Sequence, residues 1–201
     1  MPAHVLVVYY SATGSVHRLA RAVAEGAESF GAEVRLRRVA ELAPDEAMAA
    51  NPDWAAHHRE TESAVEVAEL ADLEWADGYA FGTPTRYGAP AAQLKQFIDT
   101  AGRLWQEGKL ADKPVTAFVS SAERHGGQES TILSLNNVFY HWGAVIVPLG
   151  YTDDAVYASG GNPYGTSWPA GFPSTPPDET ALACARFQGA RLARFATLLA
   201  G

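Results

Sequence analysis

The chain has 201 residues, 47% of them hydrophobic and 19% charged, with a formal net charge of −8 at pH 7. That is enough for one domain with a sizeable core, while the longest apolar runs fall well short of the ~20 residues that cross a membrane. The acidic balance excludes the basic footprint of a nucleic-acid binder, and a lone cysteine, Cys184, excludes an intrachain disulfide or a multi-thiolate metal site.

The negative charge belongs to one segment. Residues 41–77 hold eleven acids and one base, Arg59, a net of −10, so the remainder nets +2; such a stretch reads as a solvated face. The N-terminus lacks the basic-then-apolar pattern of a secretory signal, and a cytoplasmic protein is expected. Cys184, in the apolar run Ala183-Cys184-Ala185, reads as a small buried hydrophobe.

His4 to Tyr10 (HVLVVYY) is β-branched and aromatic, as a parallel strand buried on both faces should be. The small, hydroxyl-rich break Ser11, Ala12, Thr13, Gly14, Ser15 follows, and Leu19, Ala20, Val23, Ala24 and Ala27 then recur at helical spacing. A strand feeding a helix through such a loop aims free backbone N–H groups and the positive end of the helix dipole at one point, a cradle for a phosphate. Capping alone also favours Ser, Thr and Gly at such a turn. The loop has neither the Lys-Ser/Thr pair of a Walker motif nor GxGxxG, which disfavours nucleotide triphosphates and a dinucleotide fold.

Gly31 ends the helix, and Ala32 to Arg38 alternates apolar and basic residues like an edge strand. Between residues 40 and 70, Pro44, Asn51 and Pro52 interrupt an Ala- and Glu-rich stretch, predicting short helices on an exposed excursion. His57 and His58 have no third ligand at a suitable spacing and read as surface residues, so no metal is expected. Trp75 to Gly82 reads as a third strand, with a polar loop, Thr83 to Gly88, behind it. Ala91 to Trp105 reads as one helix burying Leu94, Phe97, Ile98, Ala101 and Leu104. Val115 to Val119 is a fourth strand, followed by the loop Ser120 to Gly127. A helix from Gln128 to Trp142, stopped by Gly143, leads into a fifth strand, Ala144 to Leu149. Residues 151–177 are too rich in Gly and Pro for regular structure and read as a long functional or interfacial loop. Asp178 to Leu199 is the last helix.

Five alternations of strand and helix predict a single α/β domain over residues 1–201: a doubly wound, five-stranded parallel sheet of order 2-1-3-4-5 with helices on both faces. Such sheets bind ligands outside the carboxyl ends of their strands, at the topological switch point. The three polar loops all follow strands 1, 3 and 4.

The segments VLVVYYSATG, ARAVAEGA, FGTPTRYG, LW, SS with GGQE, HWG before VIVPLGY, GGNPYG and ARFQG run along nearly the full chain. Together they resemble the WrbA family of flavodoxin-like NAD(P)H:quinone oxidoreductases. The resemblance implies FMN as cofactor, NADH or NADPH as electron donor, quinones as acceptors, and a homotetramer with residues 40–70 and 151–177 in its contacts. It implies that Ser11, Ala12, Thr13, Gly14, Ser15 and Val16 hold the FMN phosphate, and that Pro84, Thr85, Arg86, Tyr87 and Gly88 line the flavin ring. Ser121, Ala122, Glu123, Arg124, His125, Gly126 and Gly127 match the loop that closes over the other edge. Trp105 corresponds to an aromatic at the substrate face, and His141 to a histidine that reaches the flavin and serves the quinone oxygen. Thr13 replaces an aromatic associated with nicotinamide contact.

From spacing alone, Trp105 reads as core, His141 as a charge complementing a helix C-terminus, and Arg86 as a surface residue. The chain departs from the family at residues 122–125, which are bulkier and more charged, and Arg124 or His125 is expected to bring positive charge near the flavin. The alternatives are a flavodoxin-type electron carrier without catalysis of its own and a flavin-free binding protein of the same fold.

Overall fold

Alternate residues of the first strand, β1 (His4–Tyr9), enter two different cores: Val5, Val7 and Tyr9 pack on one side of the sheet, Leu6 and Val8 on the other. A strand apolar on both faces must be covered on both. In the computed structural model, which describes residues 1–200, β1 lies between two parallel neighbours, β2 (Glu33–Arg38) and β3 (Gly78–Arg86). The short strand β4 (Ala89–Pro90) folds back antiparallel onto the end of β3. Beyond β3 come β5 (Pro114–Ser121) and β6 (Val145–Ile146), both parallel, giving the order β2-β1-β3-β5-β6.

The first face is covered by α1 (Ser15–Ser29) and α9 (Glu179–Leu199), whose alanines and leucines share a core with Val5 and Val7. The opposite face is covered by α4 (Leu70–Trp75), α5 (Ala92–Asp99), α6 (Gly102–Gln106) and α7 (Gln128–Trp142), around Phe81, Phe139 and Trp142. Gly143 caps α7 in the left-handed region at φ 71°. Among the described residues no helix is long and apolar enough to cross a membrane.

The expected strand order holds for the main sheet, but among the described residues the sheet has seven strands rather than five. The fifth position is shared. Val147 still donates to the Val115 carbonyl at 2.8 Å, and Pro148, which has no N–H to give, ends the ladder. The chain then leaves the sheet through α8 (Asp154–Ala158) and returns as β7 (Ser167–Pro169), parallel to the carboxyl end of β5. Residues 151–177 thus hold a helix and a strand despite their Gly and Pro content. Gln188 of α9 secures them, accepting from the Thr166 N–H at 3.0 Å while donating to the Ala117 carbonyl at 2.8 Å and Thr116 Oγ1 at 2.7 Å.

Other expectations shift as well. Trp75 ends a helix rather than opening a strand: Glu69 and Asp72 form a reciprocal capping box at the start of α4, and β3 begins only at Gly78. The helix expected over 91–105 is two, α5 closing at Thr100 and α6 opening at Gly102. The acidic stretch is more than a solvated face. Asp72 is buried and pairs with Arg35 at 3.1 Å and Arg37 at 3.3 Å, joining α4 to the edge strand β2. Residues 40–70 do form short helices, α2 (Asp45–Ala49) and α3 (Pro52–Glu62). Cys184 is buried as expected, its sulfur accepting from Thr166 Oγ1 at 3.3 Å.

Candidate active site

The strand-end loops converge. At the carboxyl edge of the sheet lies a cleft of about 510 Å³, lined from the first loop by Ser11, Ala12, Thr13, Ser15 and Val16. From the second segment come Pro84, Thr85 and Arg86, and from the third Ser120, Ser121 and Ala122.

The first loop leaves donors free. Gly14 is the N-cap of α1 at φ 96°, a backbone shape that costs a glycine little, and no side chain caps this helix. Its first-turn N–H groups are therefore without the usual capping acceptor, and no acid sits in that turn to compete for the dipole. Ser11 Oγ instead accepts from the Gly14 N–H at 3.1 Å, tightening the loop on itself. Ser174 Oγ lies 3.3 Å from both Thr13 Oγ1 and Ser15 Oγ, so residues 170–174, which line the cleft, are tied to the first loop through hydroxyls.

The second segment is not a loop throughout. Thr83 to Arg86 continue β3, and Tyr87 (φ 54°) and Gly88 (φ 77°) turn it into β4, both with positive φ as a two-residue type I′ hairpin demands. Thr131 Oγ1 of α7 donates to Thr85 Oγ1 at 2.7 Å, locking the threonine at the cleft. Arg86 is exposed at the lip, its guanidinium donating to the Thr85 carbonyl at 3.1 Å. In the third loop, Gln128 Nε2 donates to Ser121 Oγ at 2.7 Å, which itself donates to the Glu123 carbonyl at 2.6 Å. A Cβ on Gly127 would sit 2.8 Å from the Gly88 Cα, so the second and third segments touch through two glycines.

Several residues that the resemblance places at the flavin lie elsewhere in the single chain. Glu123, Arg124 and His125 are exposed and do not line the cleft, so positive charge from this loop is carried outward. Gly14 borders the neighbouring hollow, Gly126 and Gly127 shape the turn, and Tyr87 is fully exposed. Trp105 and His141 face a separate hollow of about 360 Å³ together with Ile98, Val138 and Trp142, and Trp105 Nε1 donates to the His141 carbonyl at 2.7 Å. Trp105 is 51% exposed rather than core.

Two walls include no residue singled out for the site from the sequence: Ala50 to Trp54, at the start of α3, and Ala170 to Ser174, within the stretch read as a functional or interfacial loop. Their placement depends on long-range contacts that no local periodicity records.

Behind the first loop, His57 is 8% exposed rather than a surface residue, its ring 3.5 Å from where a Gly14 Cβ would be. The His17 ring lies tilted beside it, centroids 5.4 Å apart, and its Nδ1 is 2.5 Å from Tyr9 Oη. Burial, then the neighbouring His57, Arg21 and Arg18, push the His17 pKa down to about 4, and burial lowers that of His57. Below the ordinary value near 6.5 the unfolded chain takes up a proton that the folded one refuses, so stability is full above pH 6.5 and drains away as the pH falls toward 4. Between pH 7 and 5 the melting temperature should fall by about 4 °C more in the wild type than in His17→Gln, measured by calorimetry at both values.

Fold and cleft together define a class: the flavodoxin-like α/β proteins, in which a phosphate-bearing ligand lies at the carboxyl edge of a parallel sheet. Residues 3–154 match the model of the NADPH-dependent FMN reductase family, and the chain belongs to that family. Relatives named NAD(P)H dehydrogenase (quinone) include one from Sinorhizobium fredii, 47% identical over 203 residues, covering 98% of this chain and 99% of the relative. Another, from Deinococcus radiodurans, is 44% identical over 166 residues, covering 83% of this chain and 82% of that one. Among solved structures, a flavodoxin, WrbA-like protein from Agrobacterium tumefaciens has a TM-score of 0.69 at 29% identity, covering 98% and 99% of the two chains. The resemblance to the WrbA family read from the sequence is thereby borne out.

Proposed function

We propose that the protein is an FMN-dependent NAD(P)H:quinone oxidoreductase of the cytoplasm. The observation that carries this reading is the uncapped N-terminus of α1 opening into a cleft that two further strand ends also line. These residues fit FMN: free first-turn N–H groups and the hydroxyls of Ser11, Thr13 and Ser15 suit its phosphate, and an uncharged wall of Pro84, Thr85 and Ala122 suits its ring.

Bound FMN supplies the redox chemistry, taking two electrons as hydride from NADH or NADPH and passing them to a quinone. The chain's own part is to bind, orient and enclose. Arg86 at the lip favours an anionic donor, and residues 170–174 add a wall held to the first loop through Ser174. Donor and acceptor sharing one flavin face would have to enter in turn, which predicts a ping-pong order. Trp105 and His141 sit outside the cleft of their own chain, so their proposed roles, contact with the quinone and proton delivery to its oxygen, fall to a second copy in a homotetramer. Residues 40–70 and 151–177 are proposed to contribute to its contacts. A flavodoxin-type carrier or a flavin-free protein is not favoured, because relatives at 44–47% identity are named as dehydrogenases.

Initial rates with NADH and benzoquinone both varied should give parallel reciprocal plots, and FMN-loaded protein should be bleached anaerobically by NADH and recoloured by benzoquinone. Intersecting plots would overturn the alternating order. Protein that stays yellow under both NADH and NADPH would overturn the function.

A further inference from the structure

One wall of the cleft belongs to no strand-end loop. It comes from the excursion between β2 and β3, where the first turn of α3 brings Trp54 to the cleft. The indole is held from outside: its Nε1 donates to Glu41 Oε2 at 3.0 Å. The same carboxylate accepts from Tyr10 Oη at 2.8 Å and Gln93 Nε2 at 2.6 Å, and from the N–H groups of Leu42 and Ala43 at 2.9 and 3.0 Å.

Five donors fill the roughly four acceptor sites that an ionised carboxylate offers. Burial works to raise the Glu41 carboxyl, yet the bonds from Ala43, Gln93, Tyr10 and Trp54 hold it below its ordinary value. Tyr10 immediately follows β1 and Gln93 belongs to α5, so one side chain pins the excursion to the carboxyl edge of the sheet beside the phosphate loop. With its only polar atom engaged by Glu41, the indole has apolar aromatic surface left to offer the cleft, and such surface stacks well on a flat heteroaromatic ring.

We propose that Trp54 is a further FMN-contacting residue and that Glu41 is the residue that positions it. The inference rests on the FMN reading above and adds to it a wall supplied by the excursion.

The test needs no turnover. An indole in contact with a flavin quenches the flavin's emission by electron transfer, which fails once the two separate. FMN is titrated into apo-protein of the wild type, Trp54→Ala, Trp54→Phe and Glu41→Gln, reading affinity and the emission of the bound flavin, with a thermal melt for each. Trp54→Ala should bind FMN about tenfold more weakly and emit more brightly. Trp54→Phe should stay within about threefold of wild-type affinity while also brightening, because a ring is kept and the indole lost. Glu41→Gln should brighten with the indole still present, and if it fails to fold, the shorter carboxylate of Glu41→Asp carries the same test. Wild-type affinity and emission in Trp54→Ala would overturn the contact. Wild-type emission in the Glu41 variant would overturn the positioning role. A wild type that takes up no FMN overturns the FMN reading itself, a result distinct from a wild type that binds FMN as Trp54→Ala does.

Discussion

Gly189→Ala should destabilise the protein by at least about 2 kcal/mol and lower its melting temperature by about 6 °C or more. Two effects oppose each other in this substitution. Alanine is the better helix former, by about 1 kcal/mol in a helix interior, and Gly189 lies well inside α9. Against that, a Cβ at Gly189 would sit 1.9 Å from the Val23 carbonyl oxygen, and one at Gly26 would sit 1.9 Å from the Arg186 carbonyl oxygen. The obstacle on each side is backbone, so no side chain can turn away. The two helices must part by more than 1 Å along their contact, loosening the core that Val23, Ala27, Leu192 and Ala193 share. Overpacking of this kind costs about 3 kcal/mol or more, and it outweighs the propensity gain. Gly102 supplies the contrast. It opens α6, and a Cβ there would meet nothing within 4 Å, so Gly102→Ala should be neutral or stabilising by a few tenths of a kcal/mol. Chemical denaturation of both variants checks the pair; equal stabilities would show that the helices α1 and α9 do not touch as described.

What the sequence made legible is what local pattern controls. β1 announced itself because every residue after His4 is apolar, and α7 was readable to its last residue because Gly143 must adopt the left-handed region that stops it. The three polar breaks were visible for the same reason, each a departure from periodicity at a strand end. Elements decided by distant contacts were not. β3 runs on through Thr83 and Pro84, which pair with Val119 and Ser120 of β5, and through Thr85 and Arg86, which β4 folds back to meet, although the stretch reads as loop. β6 is cut at Pro148, and the vacant part of β5 is filled by β7, held there by Gln188 from the far end of the chain. His57 gives no sign in its neighbourhood of being buried against Gly14, and Trp54 reaches the cleft because Glu41, Tyr10 and Gln93 meet, residues spread from position 10 to position 93. Half of the cleft wall was therefore written in short motifs, and the other half in tertiary contacts of the two excursions.

Thr13→Asp should weaken FMN binding at least about a hundredfold while leaving the unliganded protein as stable as the wild type. The two side chains are close in volume, and Thr13 is only partly buried, so packing changes little. The hydrogen bond that Thr13 Oγ1 donates to Ser174 Oγ at 3.3 Å can be replaced by one that a carboxylate accepts from the Ser174 hydroxyl. A negative charge just before α1 is also welcome to the unliganded helix, worth about 0.3–1 kcal/mol near an N-terminus. The sign reverses when a phosphate must share the place. Two unit charges about 4 Å apart repel by about 4 kcal/mol at an effective dielectric of 20, and a phosphate dianion doubles the charge. Even if solvent screening halves the single-charge figure and the helix dipole shares itself between both anions, more than about 2.7 kcal/mol remains, two factors of ten at 1.4 kcal/mol each. Thermal melts with and without excess FMN separate the two signs: the wild type should gain several degrees on loading, following RT ln(1 + [L]/Kd), and Thr13→Asp almost none. Thr13→Asn, of the same shape as the aspartate without its charge and with an amide N–H to offer in place of the hydroxyl, should stay within about threefold of wild-type affinity. A Thr13→Asp protein that holds FMN as tightly as the wild type would place the phosphate elsewhere than at the first turn of α1, and the assignment of the loop from Ser11 to Val16 would go with it.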